Sequence, residues 1–377
     1  MTWKQGTLCV VAGCVAAAAP RPAAAQFGRI GDSILKRAEQ VNELRITDEE
    51  ERRLGEAVSQ KVRERYGVVQ DKAVHRYVAL VGTVLAQAGS RPGLDYRFIV
   101  LDTDGVNAFA APGGYVHITR GALGLIRTEA ELAGVLAHEL VHVTSKHTIK
   151  AIQKGKFIRM AAEETLSAND ALFAQLVDRT TELVMAGFGR AEELESDQVG
   201  IRVANKVGYD PKGLAAVLAR IDERNQGRSE KQGLWASHPE MAERLQRIAR
   251  QVTAEKLNAS ATLADRYARF ISYEAKAQVD IPVVDSGAAG LTGGGAAKSD
   301  AAAKTGDKPA PKKKGFGIGS LLRPGGEEKK SAEVTGSAAS RGVDRERNAV
   351  GGPVKTAVVV QVTAEDLAAF KKEGRLR

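Results

Sequence analysis

TEAELAGVLAHELVHVTSKH, residues 128–147, is the stretch on which the reading of the whole chain turns. Its centre is His138-Glu139-Leu140-Val141-His142, an HExxH. Positions four apart share one face of a helix, so the imidazoles of His138 and His142 can bind one metal ion together. Glu139 then projects beside that ion, where a carboxylate can take a proton from a water the metal has acidified. The local sequence favours a helix. Thr128 and Glu131 have the spacing of a capping box, and Leu132, Leu136, Leu140 and Val143 fall in one apolar stripe. At about 100° per residue the two histidines lie roughly opposite that stripe. The expectation is a helix packed on one side and carrying a metal on the other.

A catalytic zinc typically takes three protein ligands and keeps one position open, so a further ligand is expected elsewhere. Glu193-Leu194-Glu195-Ser196-Asp197 is the best supplier. Glu193 and Asp197 are four apart and share a face, so one can bind metal while the other orients a histidine. Glu195 points elsewhere and is the weaker choice. Further on, Ser237-His238-Pro239 opens another helix, with proline in its first turn. His238 and Arg244, six apart, are candidate donors to a developing oxyanion. His238 has two other readings, a fourth metal ligand in a resting state or a plain helix-start histidine.

The chain has 377 residues and 43% apolar residues, enough for a sizeable core in one large or two modest domains. Its net charge of +9 is unevenly spread. From Lys298 to the end there are 17 Lys/Arg and 10 Asp/Glu, whereas the remainder holds 38 and 36. A nearly neutral body argues against nucleic-acid binding, and the basic tail suits an anionic membrane surface or another envelope component. At the N-terminus Lys4 precedes an uncharged apolar run, Thr7 to Ala19, too short to span a bilayer. Ala23-Ala24-Ala25 before Gln26 suits cleavage, so residues 1–25 are expected to be a signal peptide. Val11-Ala12-Gly13-Cys14 offers a competing, lipobox-like reading in which Cys14 carries a lipid anchor. Cys9 and Cys14 are the two cysteines, so a chain cut at Gln26 has no disulfide framework.

Between these ends the pattern alternates. Helices are expected over residues 27–46, after Thr47, and over Lys72–Ala88, the last with Val74, Val78, Val81 and Leu85 inward and His75 a surface or packed histidine. Tyr96–Leu101 and Tyr115–Thr119 read as strands flanking Asn107–Gly114 (NAFAAPGG). The second is read either as a sheet edge that could add an extended peptide or as a plain core strand. Residues 148–189 read as helical with a break at Ser167–Asp170. Residues 276–353 form a low-complexity basic linker without a core pattern. Residues 354–377 hold a possible strand, Ala357–Val362, and a short capped helix that docks on the body or on a partner.

HELVH, a downstream ExExD on a helix, SHPxxxxR and the earlier NAFAAPGG together resemble the M48 (Ste24/HtpX-like) zinc metallopeptidases over roughly residues 45–255. Ser196 departs from the alanine usual there. The resemblance implies an α+β, mostly helical, zincin-like fold with a small sheet beside the HExxH helix, in a domain spanning residues 26–275. It implies one zinc per chain, with His138, His142 and Glu193 as ligands, Asp197 as the supporting aspartate and Glu139 as general base. Its membrane-spanning branches do not fit, so the soluble, exported branch is the closer comparison. Combined with the export signal, it implies a zinc endopeptidase of the bacterial periplasm acting on misfolded or unassembled envelope proteins. The alternative from another class is a chaperone-like quality-control or scaffold protein with a gated, low-activity site.

Overall fold

A computed structural model describes residues 46–154, 170–225, 241–276, 283–285, 339–341 and 354–377. The expectations for the export segment, the helix ahead of residue 46, His238 and most of the linker lie outside these residues. The described body is mostly helical with a small mixed sheet. Helix α1 (Asp48–Tyr66) starts at a reciprocal capping box between Thr47 and Glu50 and buries Leu54, Val58 and Val62. Helix α2 (Lys72–Ala88) is capped by Asp71, which accepts from the amides of Ala73 and Val74. Its Val74, Val78, Val81 and Leu85 are buried as the spacing predicts. His75 is packed, its Nε2 2.8 Å from the Val69 carbonyl.

The sheet has strands β1 (Arg97–Leu101), β2 (Ala108–Ala111) and β3 (Tyr115–Thr119) in the order β1-β3-β2. β1 runs parallel to β3 and β2 antiparallel to it. This corrects the edge reading of Tyr115–Thr119: that strand is central and buried along its whole length, with β1 and β2 on its two sides. A period-two pattern reports which side chains alternate but not which backbone edges are paired. The turn joining β2 to β3 explains the two glycines of NAFAAPGG. Gly113 has φ +70 and its Cα faces the α1 backbone, where an added Cβ would lie 2.6 Å from Arg52 Cα. Only glycine adopts that conformation in that space without strain.

After the short helix α3 (Arg120–Leu125) comes α4 (Glu129–Thr144), the HExxH helix. Thr128 accepts from the Glu131 amide, but the box is half formed: the Glu131 carboxylate takes the Arg127 amide and pairs with Arg220. Its apolar stripe is buried as expected, yet so is nearly every other position, so α4 is enclosed on all sides. Helices α5 (His147–Lys154) and α6 (Asp170–Ala186) follow, then α7 (Arg190–Val207) and α8 (Gly213–Asn225). Next come α9 (Met241–Ala254) and α10 (Ala264–Phe270). Gly200 of α7 lets two helix backbones approach closely: a Cβ there would stand 3.1 Å from the His138 amide nitrogen. Among the described residues no helix is long and apolar enough to cross a membrane.

Within the linker span, β4 (Val283–Asp285) and β5 (Ala339–Arg341) pair antiparallel. The C-terminal helix α11 (Ala364–Glu373) begins at the reciprocal capping box of Thr363 and Asp366. The segment before it is extended but joins no ladder as a named strand. Side chains of Arg63, Gln70 and Arg76 donate instead to the carbonyls of Lys355, Thr356 and Gln361. Leu367 and Phe370 of α11 enter the core, so this segment docks on the body.

Candidate metal centre

Two helices make the site. α4 presents His138, Glu139 and His142, and α7 crosses it so that Glu193 and Asp197, one turn apart, face them. The crossing follows from Gly200, which shares the face of Asp197 and Glu193 (three and seven residues on) and brings the α7 backbone against His138. His138, Glu139, His142 and Glu193 are each 1–3% exposed.

One ligand atom from each of His138, His142 and Glu193 lies within 4.8 Å of the others. The two Nε2 atoms are 3.1 Å apart. Glu193 Oε2 is 3.4 Å from His138 Nε2, and its Oε1 is 3.5 Å from His142 Nε2. Two tetrahedral ligands at zinc–nitrogen or zinc–oxygen bond length stand about 3.3 Å apart. The spacings therefore fit a small tetrahedral cation, and two imidazoles with one carboxylate are a donor set that zinc accepts.

Each ligand is held from behind. His138 Nδ1 is 2.9 Å from Asp197 Oδ1. Asp197 in turn accepts from Arg244 Nε and Nη2, both at 2.7 Å, and Arg244 Nη1 lies 3.1 Å from Glu193 Oε2. Arg244 is buried, and its guanidinium is engaged with the two carboxylates. That contact differs from the oxyanion-donor expectation and makes it a support for Asp197 and Glu193. His238 lies outside the described residues.

The charges respond to this packing. Burial works against a charge on His138, but hydrogen bonds that its ring donates to the Asp197 and Glu193 carboxylates outweigh it and raise its pKa to about 9. Burial likewise pushes the Asp197 carboxyl up, and Arg244 and His138 more than reverse it, so the net shift is downward. A metal entering between these groups must displace a proton from His138.

Several neighbours escape the sequence patterns. Phe188, in the loop before α7, stacks on His142 with centroids 4.3 Å apart. His147 turns its Nδ1 to within 3.0 Å of His142 Nδ1, and Glu195 lies behind it, with Oε2 3.4 Å from His147 Nε2. Burial lowers the His147 pKa against the pull of Glu195. The Ser145 hydroxyl, followed in weight by opposing burial, leaves Glu195 with a lowered pKa. A small pocket lies beside His142, walled by Ala110, Ala111 and Pro112 at the end of β2 and by Lys146 and Ile149.

A model of peptidase family M48 matches residues 72–252, from the start of α2 into the last turn of α9, and so includes His138, Glu139, His142, Glu193, Asp197 and Arg244. Over these residues the chain is similar to peptidase family M48. Among curated relatives, it is 24% identical over 202 residues to the beta-barrel assembly-enhancing protease of Escherichia coli (strain K12), covering 50% of this chain and 41% of that one. It is 29% identical over 169 residues to the metalloprotease YcaL of the same organism, covering 44% and 65%. It is 25% identical over 209 residues to the mitochondrial metalloendopeptidase OMA1 of Schizosaccharomyces pombe, covering 52% and 60%. The chain therefore spans less than two thirds of the length of each of these relatives.

Proposed function

We propose that this chain is a zinc-dependent endopeptidase of the bacterial cell envelope, with His138, His142 and Glu193 as the ligands of one zinc ion. The observation that carries the reading is the convergence of those three side chains, from two helices, within 4.8 Å. Bound there, zinc supplies Lewis-acid polarisation of a carbonyl and lowers the pKa of a water to about 7. Glu139, next to His138 on α4, acts as general base, taking a proton from the attacking water and delivering it to the leaving amine. Asp197 holds His138 in the tautomer that offers Nε2, and Arg244 holds Asp197 and Glu193 in register.

The substrate is an extended segment of an envelope protein, misfolded or unassembled. The name of the Escherichia coli relative, a beta-barrel assembly-enhancing protease, supports that class. Strand β2, one of the two outer strands, and the pocket beside His142 share Ala110 and Ala111. A peptide added along β2 would thus run toward the metal ligands. This moves the peptide-adding edge from β3 to β2. A periplasmic location, whether free or anchored through Cys14, belongs to the same reading, as does attraction of the basic tail to an anionic surface.

A second reading has an observation in its favour. The ligands and Glu139 are almost inaccessible, as expected for a gated site whose protein also acts by holding clients. Glu139→Gln separates the two. Zinc content should stay at wild type while cleavage of an unfolded envelope protein falls by about 100-fold or more. Wild-type cleavage by that variant removes Glu139 from its role, and full rescue of a deletion strain by it favours the holding function.

A further inference from the structure

The two histidines of the HExxH are supported differently. His138 leans on the carboxylate of Asp197, which is buried and braced by arginine. The outer nitrogen of His142 meets a third imidazole. We propose that His147 is a positioning residue for the metal centre, fixing the tautomer and ring angle of His142 and anchored in turn by Glu195.

Proton placement forces a direction on the chain of contacts. To offer Nε2 to a metal, His142 must carry its proton on Nδ1. His147 Nδ1, 3.0 Å away, must then be the acceptor, and the His147 proton sits on Nε2. That nitrogen faces Glu195 Oε2 at 3.4 Å, while the Ser145 hydroxyl donates to Glu195 Oε1 at 2.6 Å. The order Glu195, His147, His142, metal therefore has one consistent set of protons. Phe188 lies against both rings, with centroids 4.3 Å from His142 and 5.8 Å from His147, and shields the contact.

The backbone is bent to make this meeting possible. On an unbroken helix a residue five positions on would point about 140° away from His142. Instead α4 ends at Thr144 and Lys146 adopts φ +53, so that α5 restarts at His147 with its ring turned back. A left-handed lysine is costly and persists where its surroundings impose it. Lys146 Nζ is held 2.7 Å from Asp48 and 3.0 Å from Glu51 of α1. The turn is thus fixed from outside the site, and its product is the His142–His147 contact.

This inference rests on the zinc reading above, and the experiment separates the two. Zinc affinity of the full chain is measured by competition with a chromophoric chelator, beside circular dichroism of each metal-stripped variant. His147→Leu should weaken zinc about 10–100-fold, the range for a lost partner behind a ligand. His147→Asn, whose Oδ1 replaces Nδ1 as acceptor on the same Cγ, should remain within about threefold of wild type. Glu195→Gln should fall between them. Should His147→Leu fail to fold, His147→Gln, which moves the acceptor one bond outward, takes its place against Asn. Wild-type affinity in the Leu variant, or equal losses in Leu and Asn, overturns the positioning role while leaving zinc in place. A wild-type chain that binds no zinc overturns the metal reading and this inference with it.

Discussion

α4 has a buried charged cluster at each end, and the two are built from the same kinds of side chain to opposite effect. At its start Glu129, 0% exposed, accepts from Tyr77 Oη at 2.8 Å, from Tyr209 Oη at 2.7 Å and from Arg266 Nε at 2.6 Å, with Arg266 Nη2 also in contact. Arg266 Nη1 goes on to the Phe370 carbonyl of α11. Donors there meet acceptors, and the carboxylate sits at a helix N-terminus, where negative charge is favoured. In the second half of the helix, two imidazole nitrogens and a carboxylate turn lone-pair-bearing atoms toward one point. Satisfied pairs make a structural joint, whereas acceptors crowded together make a place for a cation. Burial and charge alone do not tell the two apart; the polarity of the facing atoms does.

Removing a partner from the satisfied end should give the largest loss of stability. Arg266→Ala leaves Glu129 buried without its arginine and also releases the Phe370 carbonyl. It should cost about 3–5 kcal/mol in urea unfolding, with zinc stoichiometry unchanged in the folded fraction. A loss below about 1 kcal/mol would show that the tyrosines alone hold Glu129.

A smaller effect is expected where the helices cross. Gly200→Ala places a methyl group 3.1 Å from the His138 amide nitrogen and 3.2 Å from the Ala137 carbonyl carbon. α7 must retreat by a few tenths of an ångström, carrying Glu193 and Asp197 with it. Since a 1 Å misplacement costs about 100-fold, kcat should drop on the order of tenfold with little change in melting temperature. Wild-type kcat would mean that the α4–α7 spacing is not what sets the site.

The mildest effect belongs to the C-terminal segment. The Asp366 pKa is lowered, first by the Thr363 amide, against opposing desolvation, and further by Arg76. A depressed folded pKa contributes stability that is fully present above the unfolded value, about 3.9, and is lost as pH falls through the folded value. Amide exchange in α11 should therefore accelerate below about pH 4 ahead of exchange in α4. Simultaneous acceleration would show that the two unfold as one unit.

The sequence shows these regions unequally. Helices α1, α2 and α4 are legible because their caps and their apolar spacing agree with their burial, and the HExxH with the acidic run at 193–197 marks the site. The strand order is not legible, since Tyr115–Thr119 alternates in the same way whether central or at an edge. Arg244 is visible only as part of a motif: spacing along α9 does not say that its guanidinium reaches back to α7. His147 is hidden for a different reason. It stands five residues after His142, off the helical face, and only the left-handed Lys146 brings it round. Phe188 gives no signal, because a lone aromatic between two glycines carries no period.

The central claim is that Glu193, far along the chain from the HExxH, completes the metal centre. Zinc content per chain, measured by native mass spectrometry on wild type, Glu193→Ala and Glu195→Ala, tests it most directly. At a free zinc well above the modestly raised dissociation constant expected of Glu195→Ala, one zinc is expected in wild type and in Glu195→Ala, and none in Glu193→Ala. Full zinc occupancy in Glu193→Ala, or its loss in Glu195→Ala alone, would contradict the assignment.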